Sequence, residues 1–298
     1  MGLTLIGISS FLPLPSVAGP KWPIPDGLKT IEVNGYDMAY QETGSGIPLV
    51  LIHGAVSDYR GRTMQVPEFS KVYRTIAVSL RHCYPEKWNG GGDNFSVTQD
   101  ASDVAALIKS LNLGKVHLLG HSRGGAVALN VAVLYPEVIR TLTLEDASGM
   151  ESLLPETPEE IQKRLANVKA FSDHLRGILA TDDFEKAARV FADSVYGPGA
   201  WEKVPAERKQ IYLDNIATAP ESGGRSKVSC ADIQKFTFPI LLLNGERSPK
   251  RYNVMIGAMK QCKPDIPAPL IVPNGTHGMH RDNPQFFNKG VLDFLNQH

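Results

Sequence analysis

Ser122 is the residue in this chain best placed to do chemistry. It stands in Gly120-His121-Ser122-Arg123-Gly124, a G-x-S-x-G pentapeptide. Val116 to Leu119, just before it, are apolar or aromatic without alternation, the pattern of a strand covered on both faces. Ala126, Val127, Ala128, Leu129 and Val131, just after it, read as a helix. Glycine-rich turns meet such a pentapeptide by chance, so the flanks give it its meaning. A strand, a tight turn and a helix lift a serine hydroxyl above the carboxyl edge of a sheet. Glycines at both ends suit a strained backbone that leaves no room for side chains. The helix N-terminus then faces the negative charge that develops when the hydroxyl attacks an acyl carbon. The chemistry predicted is nucleophilic catalysis by Ser122.

The elements needed to hold this turn are readable along the chain. Thr30 to Val33 and Tyr36 to Thr43 read as strands of a hairpin about Asn34-Gly35. Pro48 to His53 is a buried strand with His53-Gly54-Ala55 at its carboxyl end, and Val72 to Val78 is the next strand. Ser96 to Leu111 has Val97, Ala101, Val104, Ala105 and Ile108 on one helical face. Val138 to Glu145 is a further strand ending at Glu145-Asp146. From Ala147 to about Gln234 no convincing strand occurs. Thr157-Pro158-Glu159-Glu160 is a capping box with a proline at the first helical position. Thr181 or Asp182 starts a second helix running to Gly197, and Pro205 a third. Strands return at Pro239 to Asn244 and Pro269 to Val272, and an amphipathic helix from Pro284 closes the chain.

Composition narrows the function classes. At 298 residues the chain can bury a large core. Basic and acidic residues number 31 each, which gives no sign of nucleic-acid binding. No apolar run is long enough to span a bilayer. Cys83, Cys230 and Cys262 are widely spaced and leave one thiol unpaired in any scheme; no ligand cluster for a metal is visible. Leu3 to Leu14 is mostly apolar, and Ser16-Val17-Ala18 before Gly19 looks like a cleavage site. No Lys or Arg precedes Lys21, so the basic start of a leader is missing. An exported or periplasmic location is favoured over a cytoplasmic one, with residues 1–18 a leader or an arm.

The strand, elbow and helix resemble the α/β-hydrolase superfamily, from about Leu28 to the C-terminus and least across the middle. The resemblance implies an α/β fold: a mostly parallel central sheet flanked by helices, with an all-helical cap after the sixth strand. It divides the chain into an arm (1–26), a core (27–148 and 235–298) and a cap (149–234). The segment Ile271 to His277, followed by His280, Asn283 and Pro284, is similar to the superfamily's histidine loop. Its first histidine, His277, is then the base for Ser122, and His280 a supporting or surface residue. The N–H groups of Ala55 and Arg123 would form the oxyanion hole. The Arg123 side chain would pair with an acidic neighbour or stand at the pocket wall, and His53 and His121 would shape backbone through hydrogen bonds.

The acid departs from the common pattern. Most relatives carry it after the strand that follows the cap, where this chain has Gly245-Glu246-Arg247-Ser248-Pro249, with serine in place of aspartate. Some place it after the strand before the cap, which here is Asp146, with Glu145 beside it. If the strand persists these two face opposite ways, and only one meets the histidine loop. The expectation is a serine esterase or lactonase using Ser122, His277 and Asp146 on a small-molecule ester or lactone, without metal or organic cofactor. A homodimer stays open. Serine at the elbow argues against the dehalogenase and epoxide-hydrolase branches, which resemble it but use aspartate there. A C–C bond hydrolase acting on β-diketones, a hydroxynitrile-lyase-like enzyme and a low-turnover ligand sensor remain as alternatives on the same fold.

Overall fold

Asn34 and Gly35 take φ of 51° and 73°, the left-handed pair that matches the twist of two antiparallel strands. They join β1 (Leu28–Val33) to β2 (Tyr36–Thr43), with Val33 opposite Tyr36. The computed structural model describes residues 22–90, 95–221 and 228–298; the leader-like residues 1–18 lie outside these. Six further strands run parallel to one another: β3 (Pro48–Ile52), β4 (Arg74–Val78), β5 (Val116–His121), β6 (Ile139–Glu145), β7 (Ile240–Gly245) and β8 (Leu270–Val272). The sheet order is β1-β2-β4-β3-β5-β6-β7-β8, so the strand carrying Ser122 lies in the interior of the sheet. Every residue of β5 is buried, as its unbroken apolar reading required.

The helices in chain order are α1 (Val66–Phe69), α2 (Val97–Ser110), α3 (Arg123–Leu134), α4 (Pro158–Leu179), α5 (Phe184–Tyr196), α6 (Ala206–Asn215), α7 (Cys230–Gln234), α8 (Lys250–Cys262), α9 (Met279–Asp282) and α10 (Pro284–Leu295). Alternation along β3 distributes them over two faces. Val50 and Ile52 pack into a core with Val104 and Leu107 of α2 and Val127 of α3. Leu49 and Leu51 enter a second core with Phe69 of α1 and Phe287 and Val291 of α10. Burial of each such side chain contributes roughly 1.5–3 kcal/mol.

Between β6 and β7 the described residues form helices and no strand, as the pattern from Ala147 onward required. Their own apolar cluster joins Leu175 and Ile178 of α4, Ala188 of α5, Trp201 and Tyr212, and it includes Val56 from the loop after β3. Val56 takes φ of 51°, a costly conformation for a β-branched residue, so packing against the inserted helices holds that loop's shape. Asp58 of the same loop accepts a hydrogen bond from Asn215 Nδ2 at 2.7 Å, and Arg60 pairs with Asp214 at 2.7 Å. A disulfide joins Cys230 at the start of α7 to Cys262 at the end of α8, and Cys83 is free and buried.

Several boundaries differ from the sequence reading, each for a local reason. Asp182 turns left-handed (φ 57°), so Asp183 becomes the cap of α5 and accepts from Lys186 N. Val72 and Tyr73 still donate to Phe69 O, so β4 begins only at Arg74. The Thr157 capping box forms as expected, with Glu160 N donating to Thr157 Oγ1 and Thr157 N to Glu160 Oε2. Among the described residues no helix is long and apolar enough to cross a membrane.

Candidate active site

Ser122 has φ 52° and ψ −120°, a strained turn between β5 and α3. Its N–H donates to Glu145 O at 3.0 Å, and its carbonyl accepts from Gly125 N and Ser148 N at 2.9 and 3.0 Å. The glycines on either side are sterically required. A Cβ on Gly124 would stand 2.2 Å from His53 O, and one on Gly120 would stand 2.3 Å from Gly124 O. Two histidines brace the turn. His53 donates from Nδ1 to Gly54 O at 2.7 Å and accepts from Leu80 N at 3.0 Å, while His121 donates from Nε2 to His277 O at 2.8 Å.

Asp146 and His277 come together although 131 residues separate them: His277 Nδ1 donates to Asp146 Oδ2 at 3.0 Å. Asp146 is completely buried, and its carboxylate also accepts from Asn244 Nδ2 and Ser248 Oγ, each at 2.6 Å. Ser248, the position where an aspartate was expected, therefore donates to the Asp146 carboxylate. Glu246 instead accepts from Asn274 N at 2.7 Å and holds the histidine loop's backbone. Tyr252 lies parallel to the His277 ring, with centroids 4.6 Å apart, and its hydroxyl is 3.3 Å from Nε2. Burial raises the Tyr252 phenol, so it stays protonated and can donate. Among the described residues Ser122 Oγ makes no hydrogen bond to His277.

The expectation that only one of Glu145 and Asp146 meets the histidine loop does not hold, because the strand ends between them. Asp146 takes φ of 38°, which breaks the alternation. Glu145 accepts from His280 Nδ1 at 2.5 Å and from Arg62 Nη1 at 2.8 Å, so each carboxylate holds one histidine. His280 is buried, and its Nε2 accepts from Arg281 Nη1 at 2.8 Å. These two contacts give it the neutral, Nδ1-protonated form. His121, Glu145 and His280 bring ligand atoms within 4.8 Å of one another, but Arg62 and the hydrogen bonds already occupy both carboxylate oxygens.

A small pocket opens over Ser122 and His277. Ala55 lines it from the core, and Phe191, Tyr196, Arg208 and Tyr212 from the inserted helices. Arg123, the first residue of α3, has an N–H without an acceptor inside its helix. Its side chain turns away and pairs with buried Asp100 at 2.6 Å, the acidic-neighbour alternative.

Neutral histidines give the fold a defined acid sensitivity. Burial lowers His53 to about 4, and it lowers His121 and His280 well below the ordinary value. The unfolded chain takes up these protons near pH 6.5 while the folded chain resists them. Stability therefore falls as pH drops below about 6.5, by up to about 1.4 kcal/mol per pH unit for each such histidine. Urea midpoints at pH 7.5, 6 and 5 should decline in that order; a flat series would contradict the neutral assignments.

Arg62, Tyr196, Arg208, Tyr212, Tyr252 and Arg281 were not singled out from sequence. Arg281 follows His277 by four positions, and Arg208 and Tyr212 share a helix face at i, i+4 spacing. Those were the available signals.

Similarity to known proteins bears on the family and the fold. A family model described as the alpha/beta hydrolase family matches residues 49–289. The chain is 24% identical over 283 residues to a 2-(acetamidomethylene)succinate hydrolase of Mesorhizobium japonicum, covering 90% of this chain and 94% of that protein. It is 26% identical to epoxide hydrolase 3 of Xenopus tropicalis, over 84% of this chain and 71% of that one. Among solved structures, a thermophilic esterase from Thermogutta terrifontis with malate bound superposes with a TM-score of 0.71 at 21% identity, covering 91% and 98% of the two chains. With a matching family model over most of its length and the corresponding sheet order, this chain belongs to the alpha/beta hydrolase family.

Proposed function

We propose that the protein is a serine hydrolase that cleaves a small carboxylic ester or lactone with Ser122, His277 and Asp146. The observation that carries this reading is the placement of Ser122 and the Asp146-held His277 on one cavity. Asp146 keeps the proton on His277 Nδ1, which leaves the Nε2 lone pair as the base. Side-chain rotation brings Ser122 Oγ to that nitrogen, since hydrogen bonds of this kind commonly tighten only with substrate bound. Oγ bonds to the acyl carbon as its proton passes to Nε2, and the Ala55 and Arg123 N–H groups take the oxyanion. The leaving oxygen collects the proton from His277 as its bond to carbon breaks, which gives an acyl-enzyme. Water then gives a proton to Nε2 and its oxygen to the acyl carbon; the bond from that carbon to Ser122 Oγ breaks as the proton passes from Nε2 to Oγ, which frees the acid and restores Ser122.

The helical segment 149–234 serves in this reading as a cap that encloses the substrate, supported by its side chains in the cavity. Relatives named for an acetamidomethylene-succinate and for epoxides show how varied the substrates of similar chains are. Serine at the elbow favours acyl transfer over epoxide opening, for which the related branch uses aspartate. A panel of short acyl esters, lactones and β-diketones tests the assignment. Multiple turnovers on an ester or a lactone are expected. Turnover on β-diketones alone, or a single turnover without recovery, would reject it.

A further inference from the structure

The charges around the cavity do not balance. Arg208 on α6 and Arg281 on α9 both line the space over Ser122. The nearby carboxylates are committed elsewhere: Asp146 to His277, Glu145 to Arg62 and His280, Asp214 to Arg60, and Asp282 to Thr276 N and Oγ1. Among the described residues neither arginine forms an ion pair with a carboxylate, although the neighbouring Asp282 charge acts on Arg281. Arg281 donates instead to neutral His280 Nε2 at 2.8 Å and to Tyr196 Oη at 3.1 Å. The Arg208 guanidinium lies 5.5 Å from the centre of the Tyr212 ring. Burial and then the Arg281 charge pull Arg208 below the usual guanidinium value, so the two cations sense each other. Arg208, partly buried on the pocket wall without a carboxylate and beside a second cation, is costly to the empty protein, and a bound anion shared with Arg281 relieves that cost.

We propose that Arg208 and Arg281, with the hydroxyls of Tyr196 and Tyr212, form a subsite for a carboxylate carried by the substrate at a distance from the bond cleaved. The substrate is then the half-ester of a small dicarboxylic acid, or a lactone bearing a free acid. This rests on the serine-hydrolase reading for the bond broken, but the subsite itself needs no chemistry to be observed. The planar fork of arginine suits the two oxygens of a carboxylate, and the tyrosines supply neutral donors beside it. One arginine comes from the inserted helices and the other from the histidine loop. A carboxylate bridging them would draw the insertion onto the core with the ester held below.

Two measurements separate this subsite from the catalytic reading. The first is calorimetric binding of glutarate, its diamide and inorganic phosphate to the intact chain carrying Ser122→Ala. Glutarate should bind, the diamide should not, and phosphate should bind more weakly than glutarate. The second compares kcat/KM for the mono-4-nitrophenyl ester of glutaric acid with its methylated counterpart, after subtraction of spontaneous hydrolysis. The acid should be preferred, and Arg208→Met or Arg281→Met should each reduce that preference by about 10- to 100-fold. Arg208→Lys should recover only part of it, because the fork is lost. Arg176→Met, on the exposed face of α4 where Arg176 pairs with Asp173, should leave the preference as it is. Equal binding of glutarate and its diamide, tighter binding of phosphate, or an unchanged preference in both methionine variants would overturn the subsite. Glutarate binding without any ester turnover would keep the subsite and reject the serine-hydrolase reading; ester turnover without preference for the acid would do the reverse.

Discussion

Asp146→Asn lowers kcat by about a thousandfold to ten-thousandfold while the protein stays folded. The carboxylate accepts from three donors, Asn244 Nδ2, Ser248 Oγ and His277 Nδ1. An amide there presents an N–H to at least one of them, and it lacks the charge that stabilises His277 once it takes the serine proton. Ser248→Ala removes one supporting hydrogen bond and should cost about tenfold or less. Glu246→Gln should cost little, because Glu246 bonds to the backbone of Asn274. Glu145→Gln should act mainly on stability, since it breaks the buried pair with Arg62, a loss of about 3–5 kcal/mol. Ser248 Oγ and His277 Nδ1 converge on the same Asp146 oxygen, at 2.6 and 3.0 Å. Aspartate placed at position 248 in the Asp146→Asn background should therefore restore part of the rate. Steady-state rates of the four single variants, with circular dichroism as the check on folding, decide the matter. A large loss at Glu246→Gln beside a near-normal Asp146→Asn enzyme would contradict the assignment.

Ser122→Ala removes turnover to the floor of the assay, a loss of about a millionfold. Its effect on stability should be small. The residue sits at φ 52°, where alanine is no worse placed than serine, and the hydroxyl makes no capping bond to α3. A variant that lost activity through unfolding would show a lower melting temperature, whereas an unchanged or raised one marks the loss as chemical.

Most of the scaffold was legible because its signals are local. The Asn34-Gly35 turn, the unbroken apolar run of β5, the Thr157 capping box and the strandless stretch after β6 each declare themselves within a few residues. Ser122 declared itself through the same kind of local pattern. Asp146 was reachable only by asking what could replace the carboxylate missing at Ser248, and the two residues proved to be hydrogen-bonded to each other. The rest depends on residues brought together from far apart in the chain. Nothing near Arg62 shows that it will meet Glu145, and nothing near Cys230 marks Cys262 as its partner. The pairing of Glu145 with His280 hinged on a left-handed residue at Asp146, which a strand pattern cannot foretell. Arg208 and Arg281 look like ordinary surface charges until the insertion is folded over the histidine loop.

The proposed reaction depends on Ser122 as a nucleophile activated through His277 and Asp146. Its most direct test is the rate and site of labelling by a fluorophosphonate, read by intact mass and peptide mapping. One adduct per chain is expected, on Ser122 in the wild-type protein, absent from Ser122→Ala and formed about a thousandfold more slowly in Asp146→Asn. Undiminished labelling of Ser122→Ala, or an adduct mapped to another residue, would contradict it.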